Sequence, residues 1–330
     1  MSFDLAALGS VTLTQLAYAV AVDTHRHFGR AAEACHVTQP TLSMQVGKLE
    51  RALGVTLFDR SRAPVVPTAV GRAVLDQARV ALREVARVAD ARDEAAGEIA
   101  GEVRLGVIPT VAPYLLPRAV RGIARRYPRL VLVIEERVTD DVVDGLRRGA
   151  LDAAVLATPA GAPELVERVL YTEPFVGYVS EGHRLAGRAE LTPADLSLDD
   201  LWLLAEGHCF RAQTVRLCGQ RGARGARAVG ACTVGAQFES GNLETLVRLV
   251  EGGAGMTLLP ALAADALRSA AQRRLVRPFA APAPSRDVRL VRRRDGARAR
   301  LVDAVAALLV DALPEALRPA APPPARRRRA

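Results

Sequence analysis

The sequence predicts an α/β protein with a separate helical unit at its N-terminus. Three observations carry this. Up to about residue 94, apolar residues recur at spacings of three and four, the mark of amphipathic helices. Beyond residue 101, short strand-like runs alternate with helical ones, which argues for α/β with mostly parallel sheets. Between the two lies Ala95 to Gly101, a stretch with two glycines that reads as a hinge.

Composition narrows the class. A chain of 330 residues suits two or three domains. Half of it is hydrophobic, which fits a globular protein, and aromatics are only 4%, so the core rests on Leu, Val and Ala. The formal charge of +9 suits a polyanionic partner, and nearly all of the basic charge is arginine, Lys48 being the only lysine. There is no run of 18 apolar residues and no signal-peptide pattern, so a cytoplasmic protein without membrane contact is expected. Four cysteines, none in C-x-x-C spacing, make neither a disulfide framework nor a zinc site; no metal and no cofactor are expected.

The elements follow in order. Leu13, Leu16, Ala17 and Val20 mark one face of a first helix, and a short second helix is read around Gly29 to Cys35, with Cys35 on its buried side. Thr38 offers an N-cap, and Pro40 sits in the first turn where its missing N–H costs nothing. Leu42, Val46, Leu49 and Leu53 form the apolar stripe of a third helix, whose other face carries Gln39, Thr41, Gln45 and Lys48. Such side chains can bond base edges or phosphates, and helix, turn, helix with a polar exposed face is the helix-turn-helix pattern. Residues 25–72 carry seven basic residues against three acids. His25, His27 and His36 lie near this helix, as phosphate contacts or plain solvated surface. A long helix is read from Thr68 to about Glu94, in which Leu75, Ala78, Leu82, Val85 and Ala89 make a short a/d seam. In the larger part, strands are read at 102–107, 130–135, 153–157, 175–179, 202–204, 256–259 and 288–292. Helices are read at 111–126, 140–149 and 242–251. Cys232 falls in a further predicted strand. Residues 219–230 read as a basic, glycine-rich mobile loop, and the Pro/Ala-rich tail 317–330, ending in four arginines, reads as a disordered extension that adds non-specific DNA affinity.

One stretch stands apart: Cys209 and Cys218, nine positions apart, with Phe210, Thr214 and Leu217 at helical spacing between them. On a helix the two thiols would lie on opposite faces, about 13 Å apart along the axis. A disulfide needs Cα atoms within about 7 Å, so joining them requires the segment to unwind. His208 and Arg211 flank Cys209, surroundings that favour a thiolate. The alternative is two small buried hydrophobes.

Two sets of motifs resemble a known family. Phe28-Gly29-Arg30-Ala31-Ala32, then Val37-Thr38-Gln39-Pro40-Thr41-Leu42-Ser43, then Leu49 through Arg60 resemble the winged helix-turn-helix of LysR-type regulators over about sixty residues. Ile108 through Pro117, Glu206 through Cys218, and Gly255 through Pro260 resemble its peroxide-sensing OxyR branch. The resemblance implies an N-terminal winged helix-turn-helix with a long linker helix, then a two-lobed periplasmic-binding-protein-like α/β effector domain. It places the DNA-binding domain at 1–67, the linker and dimerisation helix at 68–97, and the redox-sensing domain at 98–316. Lobe I would hold 102–171 and 276–316, lobe II 172–275. Thr38, Gln39, Pro40, Thr41, Ser43, Gln45 and Lys48 would face DNA, with Arg60 and Arg62 reaching phosphates from the wing. Leu75, Ala78, Leu82 and Val85 would pair two subunits.

In the OxyR branch the first cysteine is peroxidatic and the second resolves it; the matching positions are Cys209 and Cys218. Thr110, Thr139, His208 and Arg286 match the other pocket positions. The family usually has Asp in its Cys-x-Arg-Asp-Gln run, where this chain has Ala212. The resemblance further implies a regulator of oxidative-stress genes, not an enzyme. Its implied partners are promoter DNA, hydrogen peroxide as signal, a homodimer or homotetramer, RNA polymerase, and thiol reductants of the glutaredoxin or thioredoxin type. A LysR-type regulator of a small metabolite with incidental cysteines is the alternative; a thiol peroxidase is a weaker one, because it leaves residues 10–94 unexplained.

Overall fold

A computed structural model describes residues 11–95, 98–219, 240–294, 296 and 298–319, without the side chains of residues 87 and 89–95. Cys232, nearly all of the basic loop, the tail beyond residue 319 and the Ala89 side chain fall outside this set. The chain forms two compact units, one made of the residues through Glu98 and one made of nearly all that follow.

In the first unit, α1 (Leu13–His25) opens on a capping box: Gln15 N–H donates to the Thr12 hydroxyl, and Thr12 N–H donates to the Gln15 side chain at 2.9 Å. The buried face is Gln15, Ala19 and Val22, not the Leu13 face expected from spacing, and Leu13 is 47% exposed. The helix carries apolar residues nearly all round, so periodicity alone does not single out the packed side. His27 caps α2 (Phe28–Ala34), its Nδ1 accepting from Gly29 N–H at 3.0 Å. Cys35 is half-buried at the other end, and burial pushes its thiol up.

Helix α3 (Gln39–Leu53) begins at the Thr38 cap with Pro40 in its first turn. Leu42, Val46 and Leu49 are fully buried, each contributing about 1.5–3 kcal/mol of burial energy. Leu53, expected in the same stripe, is exposed, because Gly54 adopts a left-handed φ of 66° and turns the chain away there. Strands β1 (Phe58–Asp59) and β2 (Val66–Pro67) pair antiparallel as a wing. Helix α4 (Ala69–Ala95) starts against it: Thr68 N–H donates to Leu57 O at 2.9 Å, and a Cβ at Gly71 would collide with that same carbonyl. Leu75 is 1% exposed and belongs to this unit's own core, with Ala78 also buried. The seam is therefore corrected: Leu75 and Ala78 are not free for a partner, whereas Leu82 is half-buried and Val85 and Val88 are exposed.

The second unit is built on a seven-stranded mixed sheet in the order β4-β3-β5-β9-β6-β7, with β8 also on β6. Strands β3 (Gly101–Val107), β4 (Leu130–Glu136) and β5 (Ala153–Leu156) are parallel and connected through α5 (Ala112–Arg126) and α6 (Thr139–Arg147). Strand β6 (Leu165–Val179) runs much longer than the sequence indicated. Leu165 to Pro174 pairs with β9 (Ser285–Arg293), and Phe175 to Val179 pairs with β7 (Met256–Pro260). These pairings are antiparallel, so the mostly parallel sheet expected from sequence holds only for β3, β4 and β5. Strand β8 (Val276–Pro278) pairs with Val176 to Tyr178 on the edge of β6 opposite β7. The passages between the half-sheets thus lie at Pro174/Phe175 and between β8 and β9. Trp202 to Leu204 is not a strand: only isolated bridges flank a buried Trp202, whose indole N–H donates to Ala254 O at 2.8 Å. Helices α7 (Cys209–Cys218), α8 (Leu243–Glu251), α9 (Ala261–Asp265), α10 (Ala270–Arg274) and α11 (Ala299–Asp311) complete the unit. Leu317 closes a short 3-10 turn, so the described part of the tail is structured at its start.

Candidate functional site

The exposed side of α3 carries most of the expected DNA-facing set. Gln39, Pro40, Thr41 and Lys48 are exposed, and the Thr38 and Thr41 hydroxyls lie 2.8 Å apart at the helix start. Two residues are tied down instead. Gln45 is half-buried, its Oε1 accepting from the Nε2 of buried Gln15 at 3.3 Å. Ser43 accepts from Arg60 at 3.4 Å. Arg60 itself is anchored: its Nη2 donates to Glu50 Oε2 at 2.8 Å, and its guanidinium lies 4.9 Å over the Phe28 ring. Glu50 also accepts the Leu57 N–H at 2.8 Å, so the Glu50–Arg60 pair fixes the wing to α3. Arg62, by contrast, is 72% exposed and pairs with the nearby Asp59 at 3.1 Å. Glu50 and the capping His27 were missed by sequence reasoning; the Thr12-x-x-Gln15 capping pattern was readable.

The second site forms where three elements converge. Thr110 sits in the turn after β3, Thr139 opens α6, and Cys209 opens α7 directly after His208. A narrow niche is lined by Ile108, Pro109, Thr110, Val138, Thr139, His208 and Cys209. The Thr139 hydroxyl is buried and without a hydrogen-bond partner among the described residues, so it is free to serve a guest. Cys209 occupies the first position of α7, where backbone N–H groups have no carbonyl partner inside the helix and the His208 side chain does not cap them. Burial pushes the His208 imidazole below its ordinary range, so it is a neutral hydrogen-bonding group rather than a cation beside the thiol.

Arg286 stands one layer behind. Its Nη1 donates to Thr110 Oγ1 at 2.9 Å and its Nη2 to Thr110 O at 3.1 Å. Its Nε donates to Glu173 Oε1 at 2.9 Å. Both charged side chains are essentially inaccessible, and Glu173 Oε2 takes the Leu262 N–H at the start of α9. Arg286 thus meets the niche through Thr110, whose hydroxyl and carbonyl it holds. It also lies 5.4 Å over the Phe210 ring, which meets Phe175 edge-on at 5.6 Å.

At the far end of α7, Cys218 is 1% exposed, and burial pushes its thiol up to about 11. The helix is held at two intermediate points. Arg211 Nη1 donates to Leu204 O at 3.0 Å and Gln213 Nε2 to Ala157 O at 2.7 Å. Beside Cys209 opens a cleft of about 540 Å³ lined by residues of α6, by Thr158, Pro159 and Ala160, and by Gly207, His208, Cys209 and Ala212. No group of three or more His, Cys, Asp or Glu side chains suited to a metal occurs among the described residues, and no described helix is long and apolar enough to cross a membrane.

Comparison with known proteins agrees with both halves. Residues 13–72 match the bacterial regulatory helix-turn-helix protein, lysR family, and residues 96–314 match the LysR substrate binding domain. A probable hydrogen peroxide-inducible genes activator of Streptomyces viridosporus is 41% identical over 302 residues, covering 92% of this chain and 94% of the relative. The DNA-binding transcriptional dual regulator OxyR of Escherichia coli K12 is 38% identical over 253 residues, or 77% of this chain and 80% of that protein. Among solved structures, a full-length OxyR variant from Pseudomonas aeruginosa is 36% identical with a TM-score of 0.68, covering 90% of this chain and 97% of that one. A cysteine-to-serine OxyR mutant from Corynebacterium glutamicum with hydrogen peroxide bound is 33% identical with a TM-score of 0.58, covering 91% of this chain and 94% of that one. The chain belongs to the lysR family of bacterial DNA-binding regulators, in its OxyR branch, and is a regulator rather than an enzyme.

Proposed function

We infer that the protein is a hydrogen-peroxide-responsive transcription regulator switched by a reversible Cys209–Cys218 disulfide. The observation that carries this is the placement of an accessible cysteine against Thr110, Thr139 and His208 at one end of α7, with a buried second cysteine at its other end. The Cys209 sulfur attacks one peroxide oxygen, the O–O bond breaks, and the second oxygen leaves as hydroxide that takes up a proton to become water. Hydroxyl donors at the niche stabilise the charge that develops on the leaving oxygen. The sulfenic acid then condenses with the Cys218 thiol, releasing a second water. Because about 13 Å of helix separates the two positions, this closure requires α7 to unwind, releasing Phe210 from Arg286 and Phe175. The disulfide thus biases a two-state segment and changes how the two half-sheets and neighbouring subunits pack.

The expected setting follows from the same reading. The large unit works as a two-lobed effector of the periplasmic-binding-protein type, its lobes divided at the passages described above. The protein acts in the cytoplasm as a homodimer or homotetramer on promoter DNA, contacts RNA polymerase, and is reset by glutaredoxin- or thioredoxin-type reductants. Thr38, Gln39, Pro40, Thr41 and Lys48 supply the base and phosphate contacts of the recognition helix.

The test is a promoter footprint before and after peroxide, with peptide mass spectrometry on the same samples. Wild type should shift its footprint as the 209–218 linkage appears, and Cys209→Ser should do neither. A footprint that shifts with peroxide in Cys209→Ser rejects this switch; one that answers only to a small metabolite, with the cysteines dispensable, moves the protein to the other LysR reading.

A further inference from the structure

Helix α7 buries Phe210, Thr214 and Cys218 along one face, and Phe210 is the only large apolar residue among them. It directly follows Cys209 and is 3% exposed. The other ties of the helix are easier to replace. Arg211 and Gln213 each donate to a backbone carbonyl, of Leu204 and Ala157, and water can take over such bonds at little net cost. A buried ring has no such substitute, because leaving its site returns apolar surface to water.

The site that receives the ring is built from outside α7. The Arg286 guanidinium lies 5.4 Å over the Phe210 ring, and the Phe175 ring meets it edge-on at 5.6 Å. Both contacts use the charge distribution of the ring and so add to plain burial. Arg286 belongs to β9 and is held by Glu173 and Thr110. Phe175 belongs to β6, where it pairs with Pro260 of β7, and its N–H donates to Pro284 O at 2.8 Å. These walls are strand residues with bonds of their own, so they stay in place when α7 unwinds and the ring alone leaves. Phe175 also stands where β6 passes from one half-sheet to the other, so the ring docks at the joint between them.

We propose that Phe210 is the positioning residue that sets how readily the switch closes. This rests on the reading of α7 as the segment that unwinds when Cys209 and Cys218 join. Docked against Arg286 and Phe175, the ring stabilises the helical dithiol form. It does nothing for the disulfide form, from which it has been released, so it shifts the balance towards the dithiol. Against glutathione the exchange is balanced. The two thiols give up two electrons and two protons as their S–S bond forms, and one glutathione disulfide takes them up to become two glutathione thiols.

The test equilibrates full-length wild type, Phe210→Leu, Phe210→Ala and Phe175→Leu in graded mixtures of reduced and oxidised glutathione. Samples are quenched with acid, alkylated and read for the 209–218 linkage by peptide mass spectrometry. Phe210→Ala should raise the equilibrium constant for disulfide formation by about tenfold or more, which is about 30 mV towards more negative potential for a two-electron couple. Phe210→Leu keeps most of the apolar bulk and loses the ring contacts, so about threefold is expected. Phe175→Leu should shift the balance in the same direction, although it lies outside α7. Alanine is the better helix former, so helix propensity at position 210 would act in the opposite direction. In urea, Phe210→Leu should lower the midpoint of the dithiol form and leave that of the disulfide form in place. The proposal is overturned if the glutathione balance of Phe210→Leu matches wild type or moves towards the dithiol. It is also overturned if both redox forms lose stability equally, which would make Phe210 an ordinary core residue in either state. Wild type that forms no 209–218 linkage across the whole series overturns the switch reading itself, which keeps the two failures apart.

Discussion

Arg286 donates a hydrogen bond to the Thr110 hydroxyl at 2.9 Å, and this contact joins the redox niche to a buried ion pair. Thr110 lies in the turn after β3 and Arg286 on β9, so a guanidinium held by Glu173 sets the position of a hydroxyl from a different strand. Removing one member of a buried pair leaves the other charged and uncompensated. Glu173→Ala should therefore destabilise the protein by about 3–5 kcal/mol, seen as a lower urea midpoint with an unchanged slope. Replacing Glu173 and Arg286 together by apolar residues should cost less than the sum of the two single changes. Additive single effects would show that the pair is not the unit described here.

Cys218 gives a pH prediction. Its thiol is raised by burial from 9.0 to about 11, so the native state keeps that proton after the unfolded chain has lost it. Stability from this group is present below about pH 9 and declines as pH rises from there towards 11. At pH 8 the reduced protein should be alkylated by iodoacetamide at Cys209 well before Cys218, the difference vanishing in urea. Equal labelling of both in the native protein would contradict the burial.

The resolving step separates from the attack. Cys218→Ser should accumulate sulfenic acid at Cys209 and form no intramolecular bond, and peptide mass spectrometry with a sulfenic acid probe distinguishes these outcomes. Rapid loss of the trapped species in Cys218→Ser, with a new linkage to another cysteine of the chain, would reassign the partner.

The two wing arginines should behave differently. Arg62, which is largely exposed, is expected to act through phosphate, so Arg62→Ala should weaken all DNA sequences alike and flatten the salt dependence. Arg60→Ala removes the Glu50 bond and the contact over Phe28, so it should lower the melting temperature of the DNA-binding unit as well as affinity. Thr41→Ala should cost about 1–3 kcal/mol on a mapped operator if it reads a base edge, with little effect on non-specific DNA. Binding titrations across salt decide among these.

The linker helix divides in the same way. Leu75→Asp should unfold the N-terminal unit, since Leu75 is in its core, whereas Leu82→Asp should leave the unit folded and split the dimer. Light scattering beside circular dichroism separates the two. A Leu82→Asp protein that keeps its oligomer excludes the remaining seam.

The sequence by itself determined the order of parts, the recognition-helix start and the cysteine-bearing helix. These are local properties: Thr38 followed by Pro40 forms a cap whatever surrounds it, and Phe210, Thr214 and Leu217 hold helical spacing within ten residues. Tertiary structure decided which face of each element is inside and which polar groups are spoken for. Leu13 and Leu53 fit an apolar stripe yet are exposed, and Leu75 fits a seam yet is buried, because the packing partners lie elsewhere in the chain. Arg60 and Arg286 are both arginines that local sequence left free; partners 10 and 113 positions away hold them. No local pattern encodes such distances. The long β6 escaped for a similar reason: each end is hydrogen-bonded to a strand more than 75 residues further on, and it carries Glu167, Arg168 and Glu173, which only the pairing with β9 makes into strand.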